Sequence, residues 1–314
     1  MTVAVHPVES SSSPPVNARL RPAGVRVDGV AFDCLTEAQT NAHIVDEIRA
    51  GRGGWVMTSN LDHLCRSRRD PDFRQMFEEA DLVVADGAPL IWASRLQGTP
   101  LPERVAGSSM AWTLSEAAAD AGLSVFLLGG DEGTAGKAAQ HLKGRFLGLR
   151  IAGVFYPPMG FENDPAMMES MRQALRDAQP DLIYVALGSP KQEKLIRQLR
   201  EELPQAWWLG LGISLSFICG EVRRAPAWMQ KLGLEWVHRM IQEPRRLVRR
   251  YLIDGVPYGL RLVSSSVCKR FICRRSALLR AEEAVAPAGL DDPLSWRGSD
   301  SQTNSQSGEH SWGA

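Results

Sequence analysis

An aspartate stands directly after a short apolar run in the amino-terminal half of the chain. The run extends from Leu82 to Ala85, and Asp86 is followed by Gly87. A carboxylate at the end of a buried strand can take a proton from an attacking hydroxyl group, which is general-base chemistry. Aspartate is also favoured as a helix cap and in turns. The spacing alone therefore leaves a catalytic and a structural interpretation of Asp86 open.

Three other segments carry groups that suit an anionic ligand. "LLGGDEGTAGKAAQ" places Gly129 and Gly130 between a strand and a helix start, where backbone N–H groups can hold a diphosphate. It is neither a strict G-x-G-x-x-G motif nor a P-loop, so a plain strand-to-helix turn is an equal alternative. Arg104 in "LPERVAGSS" offers a planar fork of donors, with a surface ion pair as its alternative. Gln192 in "GSPKQEKLI" lies in the first turn of a predicted helix, where a capping role also explains it.

Short apolar runs alternate with helix-like segments between these motifs. The predicted strands are Gly54 to Thr58, Leu82 to Ala85, Ser124 to Leu128, Leu182 to Leu187 and Trp207 to Leu211. The predicted helices include Thr36 to Ala50, Pro71 to Glu79, Ser108 to Ala121, Thr134 to Phe146, Pro165 to Ala178 and Pro190 to Glu202. This alternation predicts an α/β fold of the Rossmann-like kind, with a parallel sheet and helices on both faces. Ligands of such sheets bind beyond the carboxyl ends of the strands, where the motifs above stand.

The segment after Gly220 has a different character, because it is cationic and aromatic. Its sequence predicts two amphipathic helices separated at Pro244, with Trp228, Leu232, Trp236, Val237 and Met240 on one helical face. Between Glu221 and Arg275, thirteen basic and four acidic residues give a formal charge of +9, so the rest of the neutral chain carries −9. This asymmetry indicates an anionic partner. Tryptophan and tyrosine favour a membrane interface over nucleic acid, which we do not expect as a partner.

The chain termini and the cysteines exclude several other classes. Residues 1–23 and the end of the chain lack periodicity and predict disordered tails. The five cysteines are scattered without metal-ligand spacing, as expected of thiols in a reducing compartment. We see neither a secretory signal nor a transmembrane segment, and so expect a cytoplasmic protein. The predicted domains are a core over 24–220, a membrane-docking appendage over 221–262, and a basic, then low-complexity tail over 263–314.

Taken together, the motifs resemble the WecG/TagA/CpsF glycosyltransferase family of bacterial surface polysaccharide and teichoic acid assembly. The resemblance extends from about Val25 to Leu262. It rests on motifs in a fixed order, which are "TSNLDHL", "ADLVVADGAPLIWASRLQGTPLPERVAGSS", "FLLGG", "ALGSPKQE" and "RRAPAWMQKLGLEWVHRMIQEPRRLVRRYL".

The resemblance implies an inverting transfer, without a metal or other cofactor, from a UDP-sugar to an undecaprenyl-diphosphate-linked sugar. It makes Asp86 the general base, lets Thr58 and Asn60 line the pocket, and lets Arg104 and Gln192 contact the diphosphate or the sugar. The appendage would dock on anionic lipids at the inner face of the cell membrane. Its arginines, first among them Arg223 and Arg224, would complete the site over the leaving diphosphate. The family also implies a homo-oligomer of unspecified size.

This chain departs from the family pattern at two places near the expected pocket. Ser109 stands where the family often has an acid, and Leu215-Ser216 stands where it often has Phe-Asp. The donor sugar is therefore left open among N-acetylmannosamine, its uronic acid, glucose and others. Two competing functions are a membrane-bound scaffold, which would not need Asp86, and a nucleotide-dependent oxidoreductase. The oxidoreductase needs an acidic ribose ligand after the next strand, and the segment from Leu149 to Val154 offers none.

Overall fold

Six parallel strands form the central sheet of the protein. A computed structural model describes residues 24–285. An amino-terminal hairpin, β1 (Val25–Val27) and β2 (Val30–Phe32), precedes the strands β3 (Gly54–Ser59), β4 (Leu82–Ala85), β5 (Ser124–Gly129), β6 (Arg150–Phe155), β7 (Leu182–Ala186) and β8 (Trp207–Gly210). Their order in the sheet is β4-β3-β8-β7-β5-β6. The predicted α/β class and all five predicted strands are confirmed, whereas the hairpin and β6 were not predicted.

Helices cover both faces of this sheet. They are α1 (Glu37–Arg49), α2 (Leu61–Ser67), α3 (Pro71–Glu79), α4 (Ala88–Leu96), α5 (Gly107–Ala121), α6 (Thr134–Arg145), α7 (Pro165–Ala178), α8 (Lys191–Leu199) and α9 (Ser214–Ile218). Short 3-10 turns occupy Phe161–Asn163 and Arg200–Glu202. The sheet separates two apolar clusters, and successive residues of β8 point into different ones, Trp207 into one and Trp208 into the other. Both indoles are buried, which fixes the register of the central strand.

The hairpin covers the exposed edge of the sheet at β4. Its tight turn places Asp28 and Gly29 at positive φ, as a two-residue Asp-Gly turn requires. Beyond β2, Asp33 pairs with β4 in both directions. Its N–H donates to the Val83 carbonyl at 2.8 Å, and its carboxylate accepts from the Val83 N–H at 2.7 Å. Because these bonds fix β4 from its free side, they also fix the residue that follows it, Asp86.

Within the described residues, the cationic segment forms three short helices, a π-helical turn and one long helix rather than the two helices predicted. They are α10 (Ala227–Lys231), α11 (Glu235–Gln242), α12 (Pro244–Val248), a π-helical turn (Arg249–Gly255) and α13 (Val256–Val285). The prediction of a break at Pro244 is confirmed, but the single helical face from Trp228 to Met240 is wrong. Gly233, at φ +71°, interrupts it and lies against Ala88 and Trp92 of α4. A side chain at this position would overlap Ala88, so the turn needs glycine.

The same segment is anchored to the core by buried apolar side chains and by polar bonds. Leu247, Tyr258 and Leu262 are buried. The Tyr258 hydroxyl donates to Asp28 of the hairpin at 2.5 Å, and burial raises the pKa of this phenol. The Arg250 guanidinium donates to Asp62 of α2 at 2.7 Å. The appendage is therefore attached to the core along much of its length, and it presents one surface outward.

Helix α13 continues past the predicted domain boundary at residue 262. The chain divides into two compact units, the first ending at Arg270 and the second beginning at Phe271. The disordered tail predicted from about residue 276 begins inside α13, which extends to Val285. The rest of that tail and the predicted tail over residues 1–23 lie outside the described residues. Among the helices between residues 24 and 285, none has the length and apolar character that crossing a bilayer demands.

Candidate active site

The carboxyl ends of the strands form one polar rim, as the sequence predicts. Asp86 follows the edge strand β4, and Thr58 lies near the end of the neighbouring β3. Gln192 follows β7, and Gly129 and Gly130 stand at the end of β5, four strand positions from β4. At about 4.8 Å for each step, this separation is roughly 19 Å across the sheet. The structure therefore groups Asp86 with Thr58 and Asn60, and it places the glycine turn at the far side of the rim.

Asp86 is held between two strands and the start of a helix. Its N–H donates to the Ser59 carbonyl at 2.7 Å, which extends the β3–β4 pairing by one residue. Its Oδ2 accepts from the N–H of Gly107, the first residue of α5, at 3.3 Å. The helix that directly follows, α4, is capped by Gly87 without a side-chain bond. Asp86 is thus no cap for the next helix, and its carboxylate faces the amino end of α5.

The environment of Asp86 raises the pKa of its carboxyl group towards neutral pH. Burial raises the pKa of this carboxyl from its ordinary value of 3.8 to about 6, because a charged carboxylate is less stable away from water. Nearby Arg104 and Arg224 and the Gly107 N–H oppose this rise, whereas the like charge of Glu235 adds to it. A carboxylate with a pKa of about 6 is mostly ionised at neutral pH and is a stronger base than an ordinary aspartate.

Two arginines from distant parts of the chain meet beside Asp86 on a single carboxylate. Arg104, from the loop before α5, donates through Nη1 to Glu235 Oε2 at 3.1 Å. Arg224, from the start of the appendage, donates through Nε to Glu235 Oε1 at 3.3 Å and through Nη2 to Ser109 Oγ at 3.0 Å. All three charged side chains are largely buried, between 16% and 23% exposed. Glu235 thus joins the core arginine to the appendage arginine through its two oxygens.

The structure separates the two arginines that the sequence paired. Arg224 points into this cluster, whereas the Arg223 side chain is exposed and has no ion pair among residues 24–285. Ser109, where the family often has an acid, receives a hydrogen bond from Arg224. The other departure, Leu215-Ser216, lies in α9 just after β8, and Leu215 is fully buried in an apolar cluster.

A second carboxyl pair borders this cluster. The backbone N–H of Glu37 donates to Glu103 Oε1 at 2.6 Å, and the Thr113 hydroxyl donates to Glu37 Oε1 at 2.8 Å. Burial raises the pKa of Glu37, and the charge of Glu103 adds to the rise, while Thr113 opposes it. Neither Glu37 nor Glu235 was predicted. The sequence signal for Glu235 was its negative charge in a strongly basic segment, because it is one of only four acids between Glu221 and Arg275.

Thr58 and Asn60 build the floor beside Asp86. The buried Thr58 hydroxyl donates to the Gly210 carbonyl at 3.1 Å, and it lies so close to Gly107 that a Cβ there would be 3.1 Å from Thr58 Oγ1. The Asn60 Oδ1 caps α2 by accepting from the N–H groups of Asp62 and His63, at 3.0 and 3.3 Å. Both side chains therefore make hydrogen bonds to the backbone. Their predicted contact with substrate stays a prediction.

Gln192 is buried, and both ends of its amide are engaged. Its Oε1 accepts from the Gly212 N–H at 2.9 Å, and its Nε2 donates to Glu193 Oε1 at 2.8 Å. Glu193 is buried in turn and lies 3.8 Å from Nε2 of His63. Burial lowers the pKa of His63, which favours the neutral imidazole. The predicted contact of Gln192 with the diphosphate or sugar stays a prediction.

The glycine turn after β5 is constrained by packing. A Cβ on Gly129 would lie 2.5 Å from the Ala186 carbonyl oxygen, and the Gly130 N–H donates to the same oxygen at 2.8 Å. At the start of α6, the Thr134 hydroxyl donates to Glu221 at 2.7 Å, and Lys137 pairs with the same carboxylate at 2.9 Å. A protein carboxylate therefore lies at this helix terminus, and the predicted diphosphate contact of Gly129 and Gly130 stays untested.

The charges around Asp86 predict opposite pKa changes in two variants. Replacing Glu235 by Gln removes a like charge, so the pKa of Asp86 falls below about 6. Replacing Arg104 by Gln removes a favourable charge, so the pKa rises. The measurement is an NMR titration of the labelled carboxyl carbon, with Arg223→Gln as a control that leaves the midpoint unchanged. A wild-type midpoint near 3.8 contradicts the buried environment.

The protein is similar to known glycosyltransferases along most of its length. The sequence profile of the glycosyl transferase WecG/TagA/CpsF family matches residues 25–271. Two relatives are both named N-acetylglucosaminyldiphosphoundecaprenol N-acetyl-beta-D-mannosaminyltransferase. The protein from Bacillus spizizenii is 30% identical over 195 residues, which are 62% of this chain and 74% of that protein. The protein from Bacillus subtilis (strain 168) is 31% identical over 197 residues, which are 63% of this chain and 75% of that protein.

The matched region contains the whole central sheet, Asp86, Arg104 and the appendage through Arg224 and Glu235. Because this match covers most of the chain, the chain belongs to the WecG/TagA/CpsF family of glycosyltransferases.

Proposed function

We propose that the protein transfers a sugar from a UDP-sugar to a hydroxyl group of an undecaprenyl-diphosphate-linked sugar, with inversion at the anomeric carbon. The observation that carries this proposal is Asp86, a carboxylate with a pKa of about 6 beside two arginines at the sheet rim. The names of both relatives support an N-acetylglucosaminyl-diphosphoundecaprenol acceptor. Ser109 and Leu215-Ser216 depart from the family pattern, so the donor sugar has to be identified by experiment.

Asp86 serves as the base in a single displacement. The acceptor hydroxyl oxygen bonds to the anomeric carbon of the donor while the bond from that carbon to the phosphate oxygen breaks. The hydroxyl proton passes to Asp86, and UDP leaves with the bonding electron pair. Inversion follows because the nucleophile enters opposite the leaving group. Proton removal by a positioned base contributes about 10²- to 10⁴-fold to such a step.

Arg104 and Arg224 stabilise the charge that develops on the leaving diphosphate. In this structure both donate to the two oxygens of Glu235, a carboxylate arrangement that resembles two oxygens of a phosphate. A diphosphate entering the site competes with Glu235 for these donors. The arginines thereby couple the donor site to the position of the appendage, since Arg224 and Glu235 both belong to it.

A panel of UDP-sugars tests the reaction class. The panel contains UDP-N-acetylmannosamine, its uronic acid and UDP-glucose, each with and without the lipid-diphosphate-linked N-acetylglucosamine. We expect release of UDP from at least one donor only when the acceptor is present, and an inverted anomeric configuration in the product. Binding of UDP without release from any donor contradicts the proposed reaction.

The neighbouring arginines of the appendage provide a matched pair of variants. Arg224→Gln is expected to reduce kcat about a hundredfold, because loss of one donor to developing charge costs that much in other enzymes. Arg223→Gln is expected to keep the wild-type rate, because its side chain is exposed and unpaired among residues 24–285. Steady-state kinetics on both variants make the comparison. Equal losses in the two variants contradict the assigned role of Arg224.

The outward surface of the appendage supports the proposal that it docks on the inner face of the cell membrane. Exposed apolar side chains recur at every fourth residue along it, at Val248, Leu252, Val256 and Leu260. Arg245 and Arg249 are exposed beside this row. Apolar groups with adjacent cations suit an interface of anionic lipid.

Vesicle sedimentation tests this docking. Binding should require anionic lipid and weaken as salt rises, because salt screens exposed charges. Arg245→Gln should reduce the partition coefficient about fivefold, since each basic residue at such a surface contributes roughly 1 kcal/mol. Arg74→Gln, an exposed arginine on α3 of the core, is the control and should bind as wild type. Equal binding to neutral vesicles in high salt contradicts docking by charge.

A further inference from the structure

A pocket of about 410 Å³ lies beside the cluster at Asp86, between the core and the appendage. Helix α4 forms one wall with Ala88, Ile91, Trp92 and Arg95, which share one helical face at spacings of three and four residues. The loop with Pro102, Glu103 and Arg104 forms the second wall, and Ala227 and Gln230 of α10 form the third. The volume is within the range of ligand sites in proteins.

The walls of this pocket combine cations with an exposed aromatic ring. Arg95 is exposed, and it has no ion pair among residues 24–285. Arg104 lines the same pocket from the loop before α5. Trp92 is 47% exposed, although indole rings are usually well covered. Glu103 adds one negative charge, and its Oε1 already accepts from the Glu37 N–H.

The apolar surface continues from Trp92 onto the appendage. Gly233 of the turn between α10 and α11 packs so closely on Trp92 that a Cβ at this glycine would lie 3.4 Å from the ring. Next to this glycine, Leu232 is 58% exposed, and Trp228 on α10 is 59% exposed. Two tryptophans and a leucine therefore lie uncovered on the walls of the pocket or next to them.

The pocket runs along α4 away from Asp86. Ala88 stands two residues after Asp86, and Arg95 stands seven residues further along the helix. A rise of 1.5 Å for each residue separates Ala88 from Arg95 by about 10 Å along the axis. This distance is comparable to the length of one sugar ring followed by a diphosphate. Arg95 thus lies at the end of the pocket wall far from Asp86, and the exposed Trp92 lies about one helical turn before it.

We propose that this pocket binds the diphosphate and the first isoprene units of the lipid-linked acceptor, with Arg95 as a phosphate ligand and Trp92 as the contact for the hydrocarbon chain. The acceptor sugar then lies towards Asp86, with its hydroxyl group within reach of the carboxylate. The diphosphate lies at Arg95, and the hydrocarbon chain leaves the pocket over the exposed ring of Trp92. This inference rests on the proposed function, since it names the site of that acceptor.

Direct binding of farnesyl diphosphate and of inorganic diphosphate tests the pocket without any donor sugar. By calorimetry, farnesyl diphosphate should bind the wild-type protein more tightly than inorganic diphosphate. Arg95→Gln should weaken binding of both probes about tenfold, as loss of one charge-assisted hydrogen bond predicts. Trp92→Ala should weaken only farnesyl diphosphate. Arg74→Gln, which replaces an exposed arginine outside the pocket, should change neither. Unchanged affinity of both probes in Arg95→Gln overturns the proposal.

Kinetics with the full substrates separate this inference from the proposed reaction. With active wild-type protein, Arg95→Gln should raise the KM for the lipid-linked acceptor about tenfold and leave the KM for the UDP-sugar unchanged. A raised KM for the UDP-sugar with an unchanged acceptor KM overturns the assignment while the reaction stands. If no donor is used at all, the proposed reaction fails, and the farnesyl diphosphate titration still decides the pocket.

Discussion

A carboxylate shared by two arginines connects the polar rim of the sheet to the appendage. Glu235 of α11 accepts hydrogen bonds from Arg104 of the core and from Arg224 at the start of the appendage, and it lies close enough to Asp86 to raise the pKa of that carboxyl. Each charge here is largely buried, so losing one partner would leave another buried without compensation. The environment of Asp86 thus depends on where the appendage sits, and a diphosphate that displaces Glu235 would alter both together.

Local sequence patterns predicted the framework well, because the features that decide it are local. Apolar runs of strand length gave five of the six sheet strands, and the polar residue after each run marked the rim. Asp86 was found this way. The hairpin was missed although its Asp28-Gly29 turn carries a recognised signal, and β6 was missed because its residues are half-buried and lack a continuous apolar run.

The arrangement of the site depends on pairs that no local pattern contains. Arg104 and Glu235 are 131 residues apart in sequence, and Arg224 and Ser109 are 115 apart. The two adjacent arginines of the appendage looked equivalent, yet one is drawn into the cluster and the other faces out. The glycine that breaks the predicted appendage helix does so because it packs on Ala88, a tertiary contact that overrides helical periodicity. The apolar periodicity therefore identified this segment as helical and amphipathic but did not predict where its helices begin and end.

The most direct test of Asp86 as the base is the rate of sugar transfer by the Asp86→Asn variant, measured with its thermal unfolding. Asparagine keeps the shape and removes the charge. Because partial burial disfavours the ionised carboxylate, the variant should unfold at an equal or higher temperature. Its transfer rate should fall at least about a hundredfold. A folded Asp86→Asn protein with the full wild-type rate would contradict the account and require a different base.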